Sequence, residues 1–229
     1  CGNIGNINKG QNLSARLYAE ELAQKNVVIG NALVDMYGKC GFIIKAHLLF
    51  DEMFVRDVVS WTALIAGYVT HALADKAVNC FDQMHLEGVS PNVATFVCSL
   101  KACGIIGEKD KGREIHEMIT EKDIFIGNAL MDMYAKCGMP IKAHDMFDKL
   151  LVRDVVAWTI VIASYAENNL GEKALHSFEE MQFEGISPNS YTYVCILKAC
   201  CDLRALDKGR EMHNNIVAKG ISTTNIVNS

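Results

Sequence analysis

Proline is scarce, with three in 229 residues, and aromatic side chains make up only 8% of the chain. Together with abundant Ala, Leu, Met and Lys, that scarcity favours helix over strand. No apolar run approaches the ~20 residues needed to cross a bilayer, so a membrane is not an expected partner. The nine cysteines include no CxxC pair. No stretch reads as a secretory signal peptide either, which removes the usual setting of a disulfide framework. Basic charge is also in short supply: the formal net charge is −5, unlike the strongly basic domains that bind phosphates indiscriminately. Any contact with nucleic acid must rest on local features.

What the chain has is self-similarity. The stretch 58–92, VVSWTALIAGYVTHALADKAVNCFDQMHLEGVSPN, returns at 155–189 as VVAWTIVIASYAENNLGEKALHSFEEMQFEGISPN. One such segment is ~35 residues, so two more of similar size lie between the copies, which is the signature of a repeat architecture. Hydrophobic residues make up 50% of the chain, ample for a core. In a solenoid that core is a stripe, because each unit buries its apolar face against its neighbours.

Three kinds of unit alternate. The first, 27–57, has Ala32, Leu33, Met36, Tyr37 and Cys40 at helical spacing, a helix stop at Gly41, and a second stripe of Ala46, Phe50 and Met53. The second, 58–92, places Trp61, Leu64, Ile65 and Tyr68 on one helix and Ala77, Phe81 and Met84 on the next. It stops at Gly88-Val89-Ser90-Pro91, where proline ends the helix. The third, 93–123, carries Phe96, Leu100 and Cys103, then Ile115, Met118 and Ile119. The cycle restarts as 124–154, 155–189 and 190–224. Residues 1–26 match the later part of the third kind, with a helix expected from Leu13 to Ala23, and 225–229 resemble the start of another first kind. Both ends thus read as mid-array, and a fragment of a longer solenoid is expected. Paired cysteines recur at equivalent positions, Cys40 with Cys137, Cys98 with Cys195, and Cys103 with Cys200, and read as small packing residues.

Trp61, Leu64, Tyr68, Ala77, Phe81 and Pro91 match the tetratricopeptide signature, but Ile65 and Ile162 stand where that pattern has Gly, and its unit is 34 residues rather than ~35. The closer match is carried by GNALVDMYGKCG, GNALMDMYAKCG, DVVSWTALIAGY, DVVAWTIVIASY, LKACG and DKGREIH. In these the chain resembles the pentatricopeptide repeat proteins of plants, in the PLS subclass with short, standard and long units, along its whole length. The resemblance implies an all-α, right-handed α-solenoid superhelix of stacked helix-turn-helix repeats. It implies short units at 27–57 and 124–154, standard units at 58–92 and 155–189, and long units at 93–123 and 190–224, with a partial long unit at 1–26.

The resemblance further implies single-stranded RNA as partner, read one base per repeat by two or three side chains. In the family the fifth and last residues of a repeat read the base, and the second packs against it. The implied readers are Asn31 with Asp57, Thr62 with Asn92, Val97 with Asp123, Asn128 with Asp154, Thr159 with Asn189, and Val194 with Thr224. The implied packing residues are Val28, Val59, Ala94, Phe125, Val156 and Tyr191. Asn offers donor and acceptor, Thr a rotating hydroxyl, and Val or Phe an apolar surface. By the family's code, Thr with Asn reads adenine and Asn with Asp reads uracil, giving the register 5′-U-A-x-U-A-x-3′. The simpler reading of the same residues is that Asp57, Asn92, Asp154 and Asn189 are N-caps of the next helix, and that Asn31 and Asn128 orient a helix start. The two roles are compatible. Recurring Lys39 with Lys136, Lys101 with Lys198, and Lys111 and Arg113 with Lys208 and Arg210 read as solvated faces, some of them within reach of phosphates.

Nothing here reads as an enzyme. There is no Gly-rich phosphate loop and no GxSxG. His85-Leu86-Glu87 fits half of a zinc deaminase signature, but the Pro-Cys-x-x-Cys half is missing, so no metal or other cofactor is expected. His116 and His213 recur at equivalent positions and read as packing residues. The resemblance implies a role in organelle RNA processing, in recognising C-to-U editing sites, in mitochondria or chloroplasts. Further partners implied are editing factors, a deaminase domain outside this fragment, and other proteins contacted through the long and short units. The competing reading is a peptide-binding scaffold of the tetratricopeptide kind.

Overall fold

A computed structural model describes residues 24–120 and 123–218. Among them are twelve α-helices and no strand. The helices come in antiparallel-capable pairs with short turns: α1 (Val27–Lys39) and α2 (Ile43–Glu52), α3 (Val58–Thr70) and α4 (Ala74–Leu86), α5 (Val93–Ile106) and α6 (Lys109–Met118). The series continues with α7 (Ile124–Lys136) and α8 (Pro140–Asp148), α9 (Val155–Glu167) and α10 (Gly171–Phe183), α11 (Ser190–Asp202) and α12 (Leu206–Ala218). The chain is an all-α helical-repeat solenoid. It forms two compact parts, residues 1–102 and 103–229.

Five of the odd-numbered helices start at a polar residue held in extended backbone, whereas α2, α4, α6, α8 and α10 have no side-chain cap. Asn26, Asp57, Asp123, Asp154 and Asn189 each accept amide hydrogen bonds from the first turn of the helix that follows, satisfying donors that have no partner inside a helix. The turn within a pair is a Schellman motif. Phe42 N donates to Tyr37 O at 2.9 Å and Gly41 N to Gly38 O at 3.3 Å, with Gly41 at φ +87°. The same bonds recur at Leu73 N to Tyr68 O and Ala72 N to Val69 O. The residue in the left-handed position changes, however, to Ala72 (φ +56°), Asn169 (+58°) and Arg204 (+55°).

In the first part α1 packs on α2 and α3, and α3 on α4. Where α1 meets α3 the backbones come close: a Cβ on Gly67 would stand 3.5 Å from Gly38 Cα and 2.8 Å from Ile43 Cδ1. The Phe50 ring meets Trp61 edge-on at 4.6 Å, and the Arg56 guanidinium lies over Phe50. In the second part α7 packs on α9 and α9 on α11, with α8 and α10 filling the other layer. There Phe147 meets Trp158 at 4.5 Å under Arg153, so the aromatic step is rebuilt unit for unit.

The stripes Ala46–Phe50–Met53, Trp61–Leu64–Ile65–Tyr68 and Ala77–Phe81–Met84 are all buried. The α1 face is different from the sequence expectation. Ala32, Met36 and Cys40 are exposed, and the buried side runs through Gly30, Val34 and Gly38. Cys40 is therefore not a packing residue, although Cys103, Cys195 and Cys200 are buried and Cys137 is half-buried. Ile119 caps the C-terminus of α6 rather than lying within it. The helix expected at Leu13 to Ala23 lies outside the described residues, as does Thr224.

Candidate nucleic-acid interface

All six proposed packing residues are exposed although five of them are large and apolar: Val28, Val59, Phe125, Val156 and Tyr191 have 45–71% of their surface in solvent, and Ala94 is exposed as well. Each sits in the first turn of an odd-numbered helix. That placement follows from the caps, since the residue two beyond an N-cap points away from the partner helix while the third turns inward. Ser60, Thr95 and Thr192, each three residues after the cap, are fully buried.

Two of the proposed reader pairs meet directly, Asn31 with Asp57 and Thr159 with Asn189. Asn31 Nδ2 donates to Asp57 Oδ1 at 3.0 Å, and Ser60 Oγ donates to Asn31 Oδ1 at 2.6 Å. The same Asp57 oxygen accepts from the Val59 and Ser60 amides at 2.9 Å each, so capping and pairing use one atom. Burial pushes the Asp57 carboxyl up, but the bonds from Ser60, Asn31 and Val59 outweigh it and hold the group below its ordinary value.

In the unit 58–92 Thr62 Oγ1 bonds Val58 O at 2.7 Å and Thr95 Oγ1 at 2.7 Å. Asn92 Oδ1 accepts from Thr95 N at 2.9 Å. The unit 155–189 repeats this with Thr159 to Thr192 at 2.8 Å, and Asn189 Nδ2 adds a bond to Thr159 Oγ1 at 3.3 Å. The unit 124–154 departs from the pattern. Asp154 caps α9 through Ala157 N at 2.9 Å, but it makes no bond to Asn128, whose Oδ1 is buried without a partner. Asp123 caps α7, with Phe125 N at 2.7 Å, and its unit mate Val97 is half-buried, as is Val194.

Around the second standard pair the second part holds a cavity of about 230 Å³. Thr159 and Asn189 line it together with Val156, Tyr191, Lys136 and Glu167. Its lining combines hydrogen-bonding side chains, apolar side chains, an aromatic ring, a lysine and the carboxylates of Asp132 and Glu167. An aromatic face and hydrogen-bonding side chains in one recess suit a flat heterocycle that stacks and is read at its edge. Lys136 is paired with Asp132 at 2.7 Å, as Lys39 is with Asp35. Lys111 and Arg113 bond Glu114 and Asp110, and Lys208 bridges Glu179 and Glu211. Most of the recurring cations are thus neutralised locally, while Lys101 and Lys198 stand exposed.

The serine and threonine behind the readers were not among the expected site residues. Their signal is nonetheless in the sequence: D57-V-V-S60, N92-V-A-T95 and N189-S-Y-T192 have the spacing of a capping box. In all three, at Asp57, Asn92 and Asn189, the cap and the third residue bond each other reciprocally.

Sequence models of the PPR repeat family match residues 56–104 and 153–202, and those of the PPR repeat match 31–58 and 128–155. Among curated proteins the chain is similar to the chloroplastic pentatricopeptide repeat-containing protein DOT4 of Arabidopsis thaliana, 43% identical over 77% of this chain and 21% of that one. It is also similar to a mitochondrial pentatricopeptide repeat-containing protein of the same plant, 34% identical over 97% of this chain and 22% of the relative. The chain therefore spans about a fifth of the length of these curated relatives. The crystal structure of the maize pentatricopeptide repeat protein PPR10 matches its fold with a TM-score of 0.67 at 19% identity, over 85% of this chain and 30% of that one. With repeat matches along both halves, caps and aromatic steps rebuilt from unit to unit, and relatives of the same kind, this chain belongs to the pentatricopeptide repeat family.

Proposed function

We propose that this chain binds single-stranded RNA in a sequence-specific way, one base per repeat, as part of a PLS-type array in which short, standard and long units alternate. The observation that carries the reading is the cavity of about 230 Å³ that gathers Thr159 and Asn189 between Val156 and Tyr191. Base edge and base face would be met by different side chains in one recess, as modular RNA recognition requires.

Asn31 with Asp57 and Asn128 with Asp154 take uracil; Thr62 with Asn92 and Thr159 with Asn189 take adenine. Val97 with Asp123 and Val194 with Thr224 leave their positions unassigned. The register is 5′-U-A-x-U-A-x-3′. The biological role we assign is recognition of C-to-U editing sites on organelle transcripts, with the chemistry supplied by a deaminase or editing factors beyond this stretch. The relatives named above, one chloroplastic and one mitochondrial, support an organelle as the setting.

The test is a binding titration with a synthetic RNA of that register against one in which the U and A positions are exchanged. The register RNA should bind at least ten-fold more tightly, since one mismatch costs about 1–3 kcal/mol in comparable sites. Equal affinity for the two sinks the register.

A further inference from the structure

The two short units carry the same reader pair, Asn with Asp, yet differ in how the asparagine is held. Asn31 is fixed at both ends of its amide, donating to Asp57 Oδ1 at 3.0 Å and accepting from Ser60 Oγ at 2.6 Å. Turning this amide over would set its oxygen against the Asp57 carboxylate and break the bond to it. Asn31 is thus left with one free amide hydrogen, while its oxygen is turned inward and already engaged by Ser60.

Asn128 has neither bond. The residue in the place of Ser60 is Ala157, whose methyl neither donates nor accepts, and Asn128 Oδ1 is buried with no partner. With a methyl in place of the Ser60 hydroxyl and no bond to Asp154, no hydrogen bond from these neighbours fixes the orientation of this amide. A buried carbonyl without a donor is costly, which favours turning the oxygen toward any ligand that brings a donor. Asn128 can therefore offer a base either an N–H or a C=O.

We propose that the third residue of the following unit is a positioning residue for base reading, and that Ala157 makes Asn128 a reader of either pyrimidine where Ser60 makes Asn31 a reader of uracil alone. The chemistry is that of the pyrimidine 4-position: uracil presents an acceptor oxygen there and cytosine a donor amino group, as thymine and cytosine do in DNA. An asparagine locked with its N–H outward meets only the first. One that turns meets both. The bound sequence becomes U-A-x-(U or C)-A-x. Thr95 and Thr192 fill the same place behind the standard pairs, bonding Thr62 and Thr159 at 2.7 and 2.8 Å, so Ala157 is the exception among the described reader pairs built on Asn or Thr.

This inference rests on the RNA-binding reading above, and its test separates the two. The full chain, S60A and A157S are titrated with three synthetic RNAs: the register RNA, and the same RNA with C for U at its first or at its fourth position. In the unsubstituted chain the first substitution should weaken binding about five-fold or more, and the fourth hardly at all. S60A should weaken the preference at the first position, where the Asp57 bond to Asn31 remains, and A157S should create one at the fourth. A serine that merely stabilises the fold would move all affinities together and leave these ratios alone. A157S adds a bond to an intact protein, so the test holds even if S60A unfolds. Equal U-over-C preference at both positions, or ratios unmoved by A157S, overturns the inference while RNA reading stands. No preference for the register RNA over the U/A-exchanged RNA removes both.

Discussion

Ser60 Oγ donates to Asn31 Oδ1 at 2.6 Å, joining residues 29 positions apart in the chain. One end of that bond lies in the first turn of α3 and the other in the first half of α1, so it ties the start of one repeat to the proposed reading position of the repeat before. Because Ser60 is fully buried, water does not compete for it, and the geometry of the reader is fixed by the fold before any ligand arrives. The pair Thr62 and Thr95 does the same one unit later.

Exchanging the reader identity should exchange the base. Thr62→Asn with Asn92→Asp converts a standard pair to the short-unit pair, and the second position of the register should move from A toward U. Titration with RNAs differing only at that position measures it. An unchanged preference for A would show that these two residues do not read the base.

Tyr191 flanks the cavity with its ring and is 45% exposed, held by its hydroxyl to Glu167 Oε1 at 3.2 Å. Removing the stacking surface with Tyr191→Ala should weaken RNA binding by about 1–3 kcal/mol, whereas Tyr191→Phe should keep most of the affinity. If both variants bind like the unsubstituted chain, no base stacks there.

The left-handed residue of the α3–α4 turn is alanine, Ala72 at φ +56°. A side chain in that conformation is strained where glycine is not, so Ala72→Gly should stabilise the chain by about 0.5–1 kcal/mol despite the added freedom of the unfolded state. Urea unfolding gives the sign directly, and a lower midpoint would contradict the turn geometry.

Trp158 is 2% exposed and packs against Phe147 at 4.5 Å. Truncation to Ala should cost about 3–5 kcal/mol, enough to unfold part of a repeat array. Circular dichroism should show helix loss at a lower temperature. Retention of the full melting temperature would mean the site collapses around the missing ring.

Acid should weaken the Asp57 cap. Its carboxyl is held below the ordinary value of 3.8, so the folded state binds fewer protons than the unfolded one. The resulting stabilisation is complete above 3.8 and is lost as pH falls through the folded value. Asp57→Asn has no such dependence. The melting-temperature gap between the two proteins should narrow as pH drops from about 5 to about 2. A constant gap would mean the carboxylate charge plays no part in the cap.

How far the sequence was legible depended on contrast. In α4 a few apolar residues stand out from charged neighbours, and Ala77, Phe81 and Met84 could be placed in the core by spacing alone. In α1 nearly every residue is apolar or small, so periodicity names no face, and the close approach of Gly38 to Gly67 leaves no hydropathic trace. The cap aspartates and asparagines were legible as caps from position. Their bonds to Asn31 and Thr159 were not, since each joins residues brought together only by stacking. Ser60 was visible as the far half of a capping box, but nothing local tells that its hydroxyl also reaches Asn31.

Val28, Val59, Phe125, Val156 and Tyr191 lie open to water at the start of their helices. Hydrated apolar surface has a calorimetric signature. The ligand that covers these side chains will release that water, and its binding enthalpy, measured at several temperatures, will slope downward with a negative heat-capacity change. A partner held only by the polar readers and the lysines would show almost none, so the temperature dependence of the heat reports how many of these side chains are covered at once.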